Sequence, residues 1–233
     1  MEHLVRYERD GTVARVTMDD GKVNALSLDM LTQLDDALSR AEADGVVVVL
    51  SGRAGVFSAG FDLPTLRAGG AHAATMLRAG FELAERILSF RAPVAISCTG
   101  HAVAMGVFLL LSGDYRIGAD GPYKITANEV AIGLTMPAAA VEICRQRLSP
   151  AHFNRATVIA EVFSPHEAVD AGFLDRVVGE AEIDDALGAV AAQLAQLDRA
   201  AHAATKLRAR NAALKAIRAA IQRDSESYTI AAG

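Results

Sequence analysis

The pattern of hydrophobic and polar positions predicts two strands, a helix and a third strand in the N-terminal part of the chain. The segments LVRYERD and TVARVTMDD read as strands joined at Asp10-Gly11, a dipeptide typical of hairpin turns. Ser27 is predicted to cap a helix that runs to Glu42. One side of this helix carries the apolar stripe Leu28, Leu31, Leu34, Leu38 and Ala41. The β-branched run at residues 46–50 then predicts a strand covered on both faces.

The same alternation of strands and helices continues through the middle of the chain. A loop containing FSAGFDL is followed by a predicted helix near residues 73–89 and a predicted strand at residues 93–98. Short strands are predicted at residues 115–118 and 124–126. Strands that alternate with helices are typical of an α/β core.

The C-terminal part of the chain is predicted to be mostly helical. Ser149-Pro150 and Ser164-Pro165 each place a helix cap before a first-turn proline. Ser164 is also predicted to form a capping box with Glu167. The sequence therefore predicts a helical appendage to the α/β core.

Two longer helices are predicted at the end of the chain, at about residues 180–197 and 200–224. Each carries an apolar stripe: Leu187, Val190, Ala191, Leu194 and Leu197 in the first, and Leu207, Leu214, Ile217 and Ile221 in the second. An apolar stripe on a terminal helix needs a partner surface. The basic residues of segment 205–223 are interpreted as a solvated helix face, or alternatively as contacts for ligand phosphates.

Composition and charge narrow the class of protein. Of the 233 residues, 52% are hydrophobic and 22% are charged, which is typical of a globular protein with a sizeable core. The net charge of −5 argues against general affinity for nucleic acid. Cys98 and Cys144 lie in apolar segments and are predicted to be reduced core residues. The N-terminal segment lacks a signal-peptide core, and the apolar run at residues 102–111 is shorter than the roughly 20 residues that span a bilayer. We therefore expect a cytoplasmic protein that does not enter a membrane.

Two segments have the residue types of a turn that approaches a ligand closely. RAGVFSAGFDL, residues 53–63, contains Ser58, Ala59 and Gly60, which permit a tight turn with free backbone N–H groups. On this segment alone, an ordinary glycine loop is the favoured interpretation. TGHAVAMGVFLLLSGD, residues 99–114, has the pattern of a turn that leads into a helix, whose first N–H groups lack partners. Two such junctions side by side would form an oxyanion hole without any polar side chain.

Glu129 is the candidate acid or base, in the apolar segment ANEVAIGLTMP at residues 127–137. Most glutamates lie at the surface, so a solvated residue at the end of a strand is the alternative interpretation. If the side chain is buried, its pKa rises and it can exchange protons near neutral pH. The six histidines show no metal-ligand spacing, so no metal site is predicted.

Four segments, in this order, resemble the crotonase superfamily of enoyl-CoA hydratases and isomerases. They are DDGKVNALSLDML, VFSAGFDL, TGHAVAMGVFLLLSGDYRIGA and ANEVAIGL, and the resemblance covers most of the chain. It implies an α/β fold in which a crotonase-like spiral of βαβ repeats occupies residues 1–178. It also implies a helical oligomerisation region at residues 179–233, and hence a homotrimer or a hexamer.

The resemblance further implies that the substrate is an acyl-CoA thioester, with CoA as part of the substrate and no separate cofactor. The thioester oxygen would then be held by the backbone N–H groups of Phe61 and Met105. Further substrate contacts are implied for Lys22, Val23, Ala25, Ala59, Asp62, Leu63 and Pro64. Pro64 stands where many relatives carry a lysine, which leaves one phosphate contact of the family unaccounted for.

Phe108 departs from the pattern of the hydratases. Those enzymes use two glutamates, and because the first falls on Phe108 here, only Glu129 remains. Addition of water to a 2-enoyl thioester needs an oriented water and a proton, tasks that two carboxylates share. Moving a double bond from C3 to C2 needs one carboxylate, which removes a proton at C2 and returns it at C4. The resemblance therefore favours an enoyl-CoA isomerase with Glu129 as base and an apolar pocket wall at Phe108.

Three other functions remain open at this point. The first is an enoyl-CoA hydratase of fatty-acid β-oxidation. The second is a non-catalytic acyl-CoA-binding protein, which would keep the pocket but would not need Glu129. The third is a thioester hydrolase or decarboxylase, for which Glu142 would be a spare carboxylate.

Overall fold

The computed structural model describes residues 3–231, with side chains as far as residue 226. The strands are β1 (Val5–Asp10), β2 (Val13–Met18), β3 (Ala25–Leu26), β4 (Val47–Ser51), β5 (Gly55–Ser58), β6 (Gly60–Phe61), β7 (Val94–Cys98), β8 (Gly100–Val103), β9 (Tyr115–Ala119), β10 (Ile125–Thr126) and β11 (Arg176–Val178). The helices are α1 (Leu28–Asp44), α2 (Leu63–Ala68), α3 (Gly70–Ser89), α4 (Met105–Ser112), α5 (Ala138–Arg145), α6 (Pro150–Thr157), α7 (Pro165–Ala171), α8 (Ile183–Leu194) and α9 (Arg199–Ala231).

A six-stranded sheet with the order β1-β2-β4-β7-β9-β11 forms the centre of the fold. The β1–β2 hairpin is antiparallel, and the other neighbouring strands are parallel. Strand β7 and the first four residues of β4 are buried, because helices cover both faces of the sheet. The side chains of Val48, Leu50 and Ile96 face the larger core, whereas Val47 and Val49 face a smaller core that α8 closes.

Successive turns of the chain also add strands to a second, three-stranded sheet. After β4, β7 and β9 in the large sheet, the chain forms β5, β8 and β10, which pair in the order β10-β8-β5. The neighbouring strands of this small sheet are parallel. Each repeat adds one strand to the large sheet and one to the small sheet, which is the predicted spiral of βαβ units. Because β5 and β8 are neighbours in the small sheet, the turns that follow them lie side by side.

The two C-terminal helices fold back on the same chain. In α8, Leu187 and Ala191 are buried against the sheet, and in α9, Leu214 and Ile217 are buried in the main core beside α3 and α5. The expectation that these stripes need a separate partner surface is therefore wrong for most of their residues, because the core of the chain itself covers them. The last two residues of the predicted oligomerisation region, 232–233, lie outside the described residues.

Several element boundaries differ from the predictions. Part of the predicted loop FSAGFDL forms the end of β5 and all of β6, and Leu63 then begins the short helix α2, for which Asp62 is the N-cap. The predicted helix at 73–89 begins three residues earlier, at Gly70. Ser149 occupies the N-cap position of α6, but its hydroxyl lies 2.8 Å from His152 Nδ1 and does not bond to a backbone N–H. In residues 3–231, no helix combines the length and the hydropathy needed to cross a membrane.

Candidate active site

Two turns, 44 residues apart in sequence, meet at Gly60 and Ala104. Gly60 has a φ of +93°, and a Cβ atom at this position would lie 2.8 Å from Ala104 Cβ and 3.2 Å from the Met105 nitrogen. Gly106 is equally close to the first turn, since its Cβ would lie 2.5 Å from the Ser58 carbonyl oxygen. Glycine at 60 and 106 therefore allows the backbone of one turn to approach the backbone of the other closely.

The Phe61 N–H points away from the strand that pairs with β6. Asp62 donates its N–H to the Leu26 carbonyl oxygen at 3.4 Å, along the β3–β6 pairing. Because successive N–H groups of an extended strand point to opposite sides, the Phe61 N–H faces the other way. That side carries the Ala104–Met105 turn. We therefore expect the Phe61 N–H to be open to a ligand atom on that side.

The Met105 N–H is also directed out of its helix. Met105 is the first residue of α4, so its N–H has no acceptor one turn earlier within the helix. Ala104 sets this orientation through a φ of +51° and a ψ of −126°, a conformation that a residue other than glycine adopts only at a cost of about 1–3 kcal/mol. The Ala104 carbonyl oxygen accepts hydrogen bonds from Val107 and Phe108, which fixes the turn. Two fixed N–H groups that converge in this way can stabilise a developing oxyanion.

An apolar cavity of about 340 Å³ opens beside these turns. Three phenylalanine rings lie along it: Phe61 and Phe81 have centroids 6.0 Å apart, and Phe81 and Phe108 are 6.1 Å apart. Phe108 is 1% exposed. The Phe108 ring thus forms part of the cavity wall and is also packed in the core.

Glu129 places a carboxylate in this apolar cavity. Its residue is 7% exposed, and no described residue donates a hydrogen bond to its buried Oε2. Burial in these surroundings raises the pKa of Glu129 to about 7. The backbone is held in a 3₁₀ turn, where the Glu129 carbonyl oxygen accepts from Ile132 at 3.1 Å and Leu134 at 2.9 Å. The alternative interpretation, a solvated glutamate, is wrong because the residue is buried at the wall of this cavity.

The segment that holds Lys22, Val23 and Ala25 runs directly beside the first turn. The Val23 carbonyl oxygen accepts the Ala59 N–H at 3.0 Å, and Ser58 Oγ donates to the Asn24 carbonyl oxygen at 2.7 Å. Lys22 is exposed, and Val23 is 50% exposed.

Asn24 fixes this segment, and the sequence analysis assigned it no separate role. The residue is fully buried with a φ of +51°, and its amide donates to the carbonyl oxygens of Met18 and Phe57, each at 3.1 Å. Asparagine is one of the few residues that tolerate a positive φ. An asparagine in a short turn is therefore the sequence signal for this conformation.

Leu63 lines the cavity, whereas Asp62 and Pro64 do not. Asp62 accepts a hydrogen bond from the Thr65 N–H at 3.0 Å and so caps α2. Pro64 lies in the first turn of that helix, where its missing N–H has no cost. The structure therefore gives the Asp62 side chain a structural task.

Two charged candidates lie away from the cavity. Glu142 forms an ion pair with Arg145 at 3.5 Å and is absent from the cavity wall. In the basic C-terminal segment, Lys206 and Arg210 pair with Asp114 at 2.7 and 2.9 Å, and the Lys206 side chain is 3% exposed. The expectation that this segment is solvated, or meets ligand phosphates, is wrong for these two residues. Across the described part of the chain, no group of three or more His, Cys, Asp or Glu side chains is arranged to hold a metal ion.

Comparisons with known proteins find both similar sequences and the same fold. A family model described as enoyl-CoA hydratase/isomerase matches residues 8–230. The human mitochondrial enoyl-CoA delta isomerase 1 is 34% identical over 229 residues, which cover 96% of this chain and 75% of that protein. A probable enoyl-CoA hydratase from Rhodobacter capsulatus is 32% identical over 206 residues, covering 88% and 80%. A solved structure of a Mycobacterium tuberculosis enoyl-CoA isomerase superposes with a TM-score of 0.93 at 46% identity, covering 97% and 99% of the two chains.

Proposed function

Because this chain belongs to the enoyl-CoA hydratase/isomerase family, we propose that it moves the double bond of a 3-enoyl-CoA thioester to position 2. It is an enzyme with the crotonase fold. The observation that carries the proposal is the single carboxylate of Glu129 in a cavity whose other wall includes Phe108. One carboxylate is what a proton shift needs, and the apolar wall excludes water from the reacting carbons.

The reaction begins with proton removal at C2. The Glu129 carboxylate takes the C2 proton, and the electron pair of that C–H bond moves onto the thioester oxygen, which gives a dienolate. The N–H groups of Phe61 and Met105 donate to this oxygen, and they bind it more strongly as its negative charge grows. Protonated Glu129 then delivers the proton to C4, the electrons return from oxygen, and a conjugated 2-enoyl thioester results.

The raised pKa of Glu129 suits this cycle. A pKa of about 7 means that the carboxylate is substantially ionised at neutral pH and is a stronger base than an ordinary glutamate. The same value makes its protonated form stable enough to persist until C4 is protonated. Burial is the cause of both properties.

The CoA moiety is proposed to lie along the segments that flank the first turn. Lys22, Val23 and Ala25 would contact its nucleotide end, together with the backbone of residues 62–64. Ala59 and Leu63 would lie beside the part nearer the thioester. The hydrogen bond from the Ala59 N–H to the Val23 carbonyl oxygen supports this path, because it holds the two segments side by side. CoA is then part of the substrate, and no separate cofactor takes part.

Hydration of 2-enoyl-CoA is the second candidate, and it is favoured by relatives such as the probable hydratase from Rhodobacter capsulatus. A binding protein without catalysis would tolerate the loss of Glu129. The position of Glu142 outside the cavity gives no support to the hydrolase and decarboxylase alternatives.

We also propose a homotrimer or a hexamer. Within the C-terminal region, Leu197 and Leu207 remain 45% and 43% exposed and are candidates for contact with a second copy. A cytoplasmic location stays a prediction of the sequence.

Parallel assays of 3-enoyl-CoA and 2-enoyl-CoA test the proposed reaction. Conversion of the 3-enoyl substrate to a conjugated thioester is followed by its absorbance in the wild type, Glu129→Gln and Glu142→Gln. Glu129→Gln should lower kcat by about 10²–10⁴-fold, the usual contribution of a general base, with thioester binding retained. Glu142→Gln should behave as the wild type. Undiminished turnover in Glu129→Gln would exclude Glu129 as the base.

A further inference from the structure

The first N–H groups of helix α5 are bound by a carboxylate of the C-terminal helix α9. Pro137 occupies the N-cap position of α5, and its side chain has no oxygen that could accept these groups. Asp224 accepts them instead, from the Ala138 N–H at 3.1 Å and from the Ala139 N–H at 2.9 Å. A carboxylate at the start of a helix also interacts favourably with the helix dipole. The cap of α5 is thus supplied from a position 86 residues away in the sequence.

The segment between Glu129 and α5 forms one side of the cavity but has little packing of its own. Residues 130–135 are exposed, and few buried contacts are typical of a segment with low local stability. The segment is fixed at its first end by the two hydrogen bonds that the Glu129 carbonyl oxygen accepts, and at its other end by the start of α5. Four of its residues line the cavity: Ile132, Leu134, Thr135 and Pro137.

Helix α9 is itself firmly attached, so Asp224 is a fixed point for this segment. Ile217 and Ile221 of α9 are buried in the main core. Arg218 pairs with Glu85 of α3 at 2.6 Å, and α3 forms another part of the cavity wall. Helix α9 therefore connects α3 to the far end of the segment that begins at Glu129.

We propose that Asp224 is a positioning residue for the reaction: by holding the start of α5, it fixes the segment that carries Glu129. The inference rests on the proposed isomerase function, in which Glu129 is the base. The Glu129 carboxylate has to reach both C2 and C4 of the substrate, so a displaced segment lengthens both proton transfers. A misplacement of about 1 Å can cost about 10²-fold in rate. The proposed CoA contacts lie on other segments, so binding of the thioester should change little.

The test compares kcat and KM for 3-enoyl-CoA in the wild type, Asp224→Ala and Asp224→Asn. Alanine accepts neither N–H group of α5, whereas asparagine keeps one acceptor oxygen and loses the charge. Asp198→Ala is the matched control, because Asp198 accepts the Ala201 N–H at 2.7 Å near the start of α9 and lies outside the cavity wall. Loss of either cap should cost about 1 kcal/mol of stability. Hydrogen exchange of residues 130–139, measured by mass spectrometry, follows the order of the segment without relying on activity.

Asp224→Ala should lower kcat at least about tenfold and change KM less than about threefold, because the lost interaction positions the base and does not bind CoA. Exchange of residues 130–139 should become faster in this variant. Asp224→Asn should recover part of the kcat, and it decides the test if the alanine variant does not fold. Asp198→Ala should keep both the wild-type kcat and the wild-type exchange of this segment.

A wild-type kcat in the Asp224 variants, unchanged exchange of residues 130–139, or an equal fall in kcat in Asp198→Ala would overturn the inference. Failure of the proposed function has a different signature. Glu129→Gln would then isomerise at the wild-type rate, while the faster exchange in Asp224→Ala would still be observed.

Discussion

Burial of Glu129 should make the protein less stable as pH rises, and Glu129→Gln should remove this loss. The pKa of Glu129 is about 7 in the folded chain, against 4.5 for an ordinary glutamate, which we take for the unfolded chain. Between these values the folded protein holds a proton that the unfolded protein has lost. The free energy of unfolding therefore falls as pH rises from 4.5 to about 7, and the loss from this group is complete above that range.

The difference between the two pKa values sets the size of the effect. Each pH unit of pKa difference corresponds to about 1.4 kcal/mol, so ionised Glu129 costs about 3 kcal/mol of stability above neutral pH. Glutamine has nearly the same shape and no charge. Relative to the wild type, Glu129→Gln should therefore gain up to about 3 kcal/mol between about pH 4 and about pH 8.5. Any cost of burying the amide adds a constant that does not depend on pH.

Urea denaturation of both proteins across this pH range measures the effect directly. Titrations elsewhere in the chain cancel when the two free energies of unfolding are subtracted. Glu142→Gln is the matched control, because Glu142 is partly exposed and paired with Arg145, and its difference from the wild type should show no such rise. A difference for Glu129→Gln that is independent of pH, or that grows toward acid pH, would refute the argument that burial dominates this site.

Four further predictions concern activity and assembly. kcat for isomerisation should rise with pH through about 7, because only ionised Glu129 can take the C2 proton; a flat pH profile would contradict this. Phe108→Glu should gain hydration of 2-enoyl-CoA, measured by loss of conjugated absorbance, and should lose about 3–5 kcal/mol of stability because a buried aromatic ring is replaced. Wild-type hydration as fast as in two-glutamate enzymes would count against the role of Phe108. Gly60→Ala should lower kcat at least about tenfold, because the added Cβ pushes the turn away from Ala104 and misplaces the oxyanion donors; an unaltered kcat would be the contrary result. Light scattering at micromolar concentration should give the mass of a trimer or a hexamer, and a monomer would refute the assembly.

The sequence by itself determined the features that depend on neighbouring residues. The hairpin at Asp10-Gly11, the cap of α1 at Ser27 and the capping box at Ser164 all form as predicted. The β-branched run of β4 predicted burial on both faces, which the structure has. Local hydrogen bonds and hydrophobic periodicity act over a few residues, so the order of amino acids encodes them directly. Resemblance on short segments also predicted that Glu129 and Phe108 decide between the two reactions, and the structure places both residues at one cavity.

Only the tertiary structure decided which of these elements meet and what surrounds them. The contact between Gly60 and Ala104 joins two turns that are far apart in sequence, and the proposed oxyanion site depends on it. The pKa of Glu129 follows from burial by residues of several elements, which no local pattern specifies. The stripes of α8 and α9 were apolar in the sequence, but only packing showed that this chain's own core covers most of them. Contacts between distant parts of the chain decide which apolar surfaces pack against each other. The same contacts bury ionisable groups such as Glu129 and so shift their pKa values.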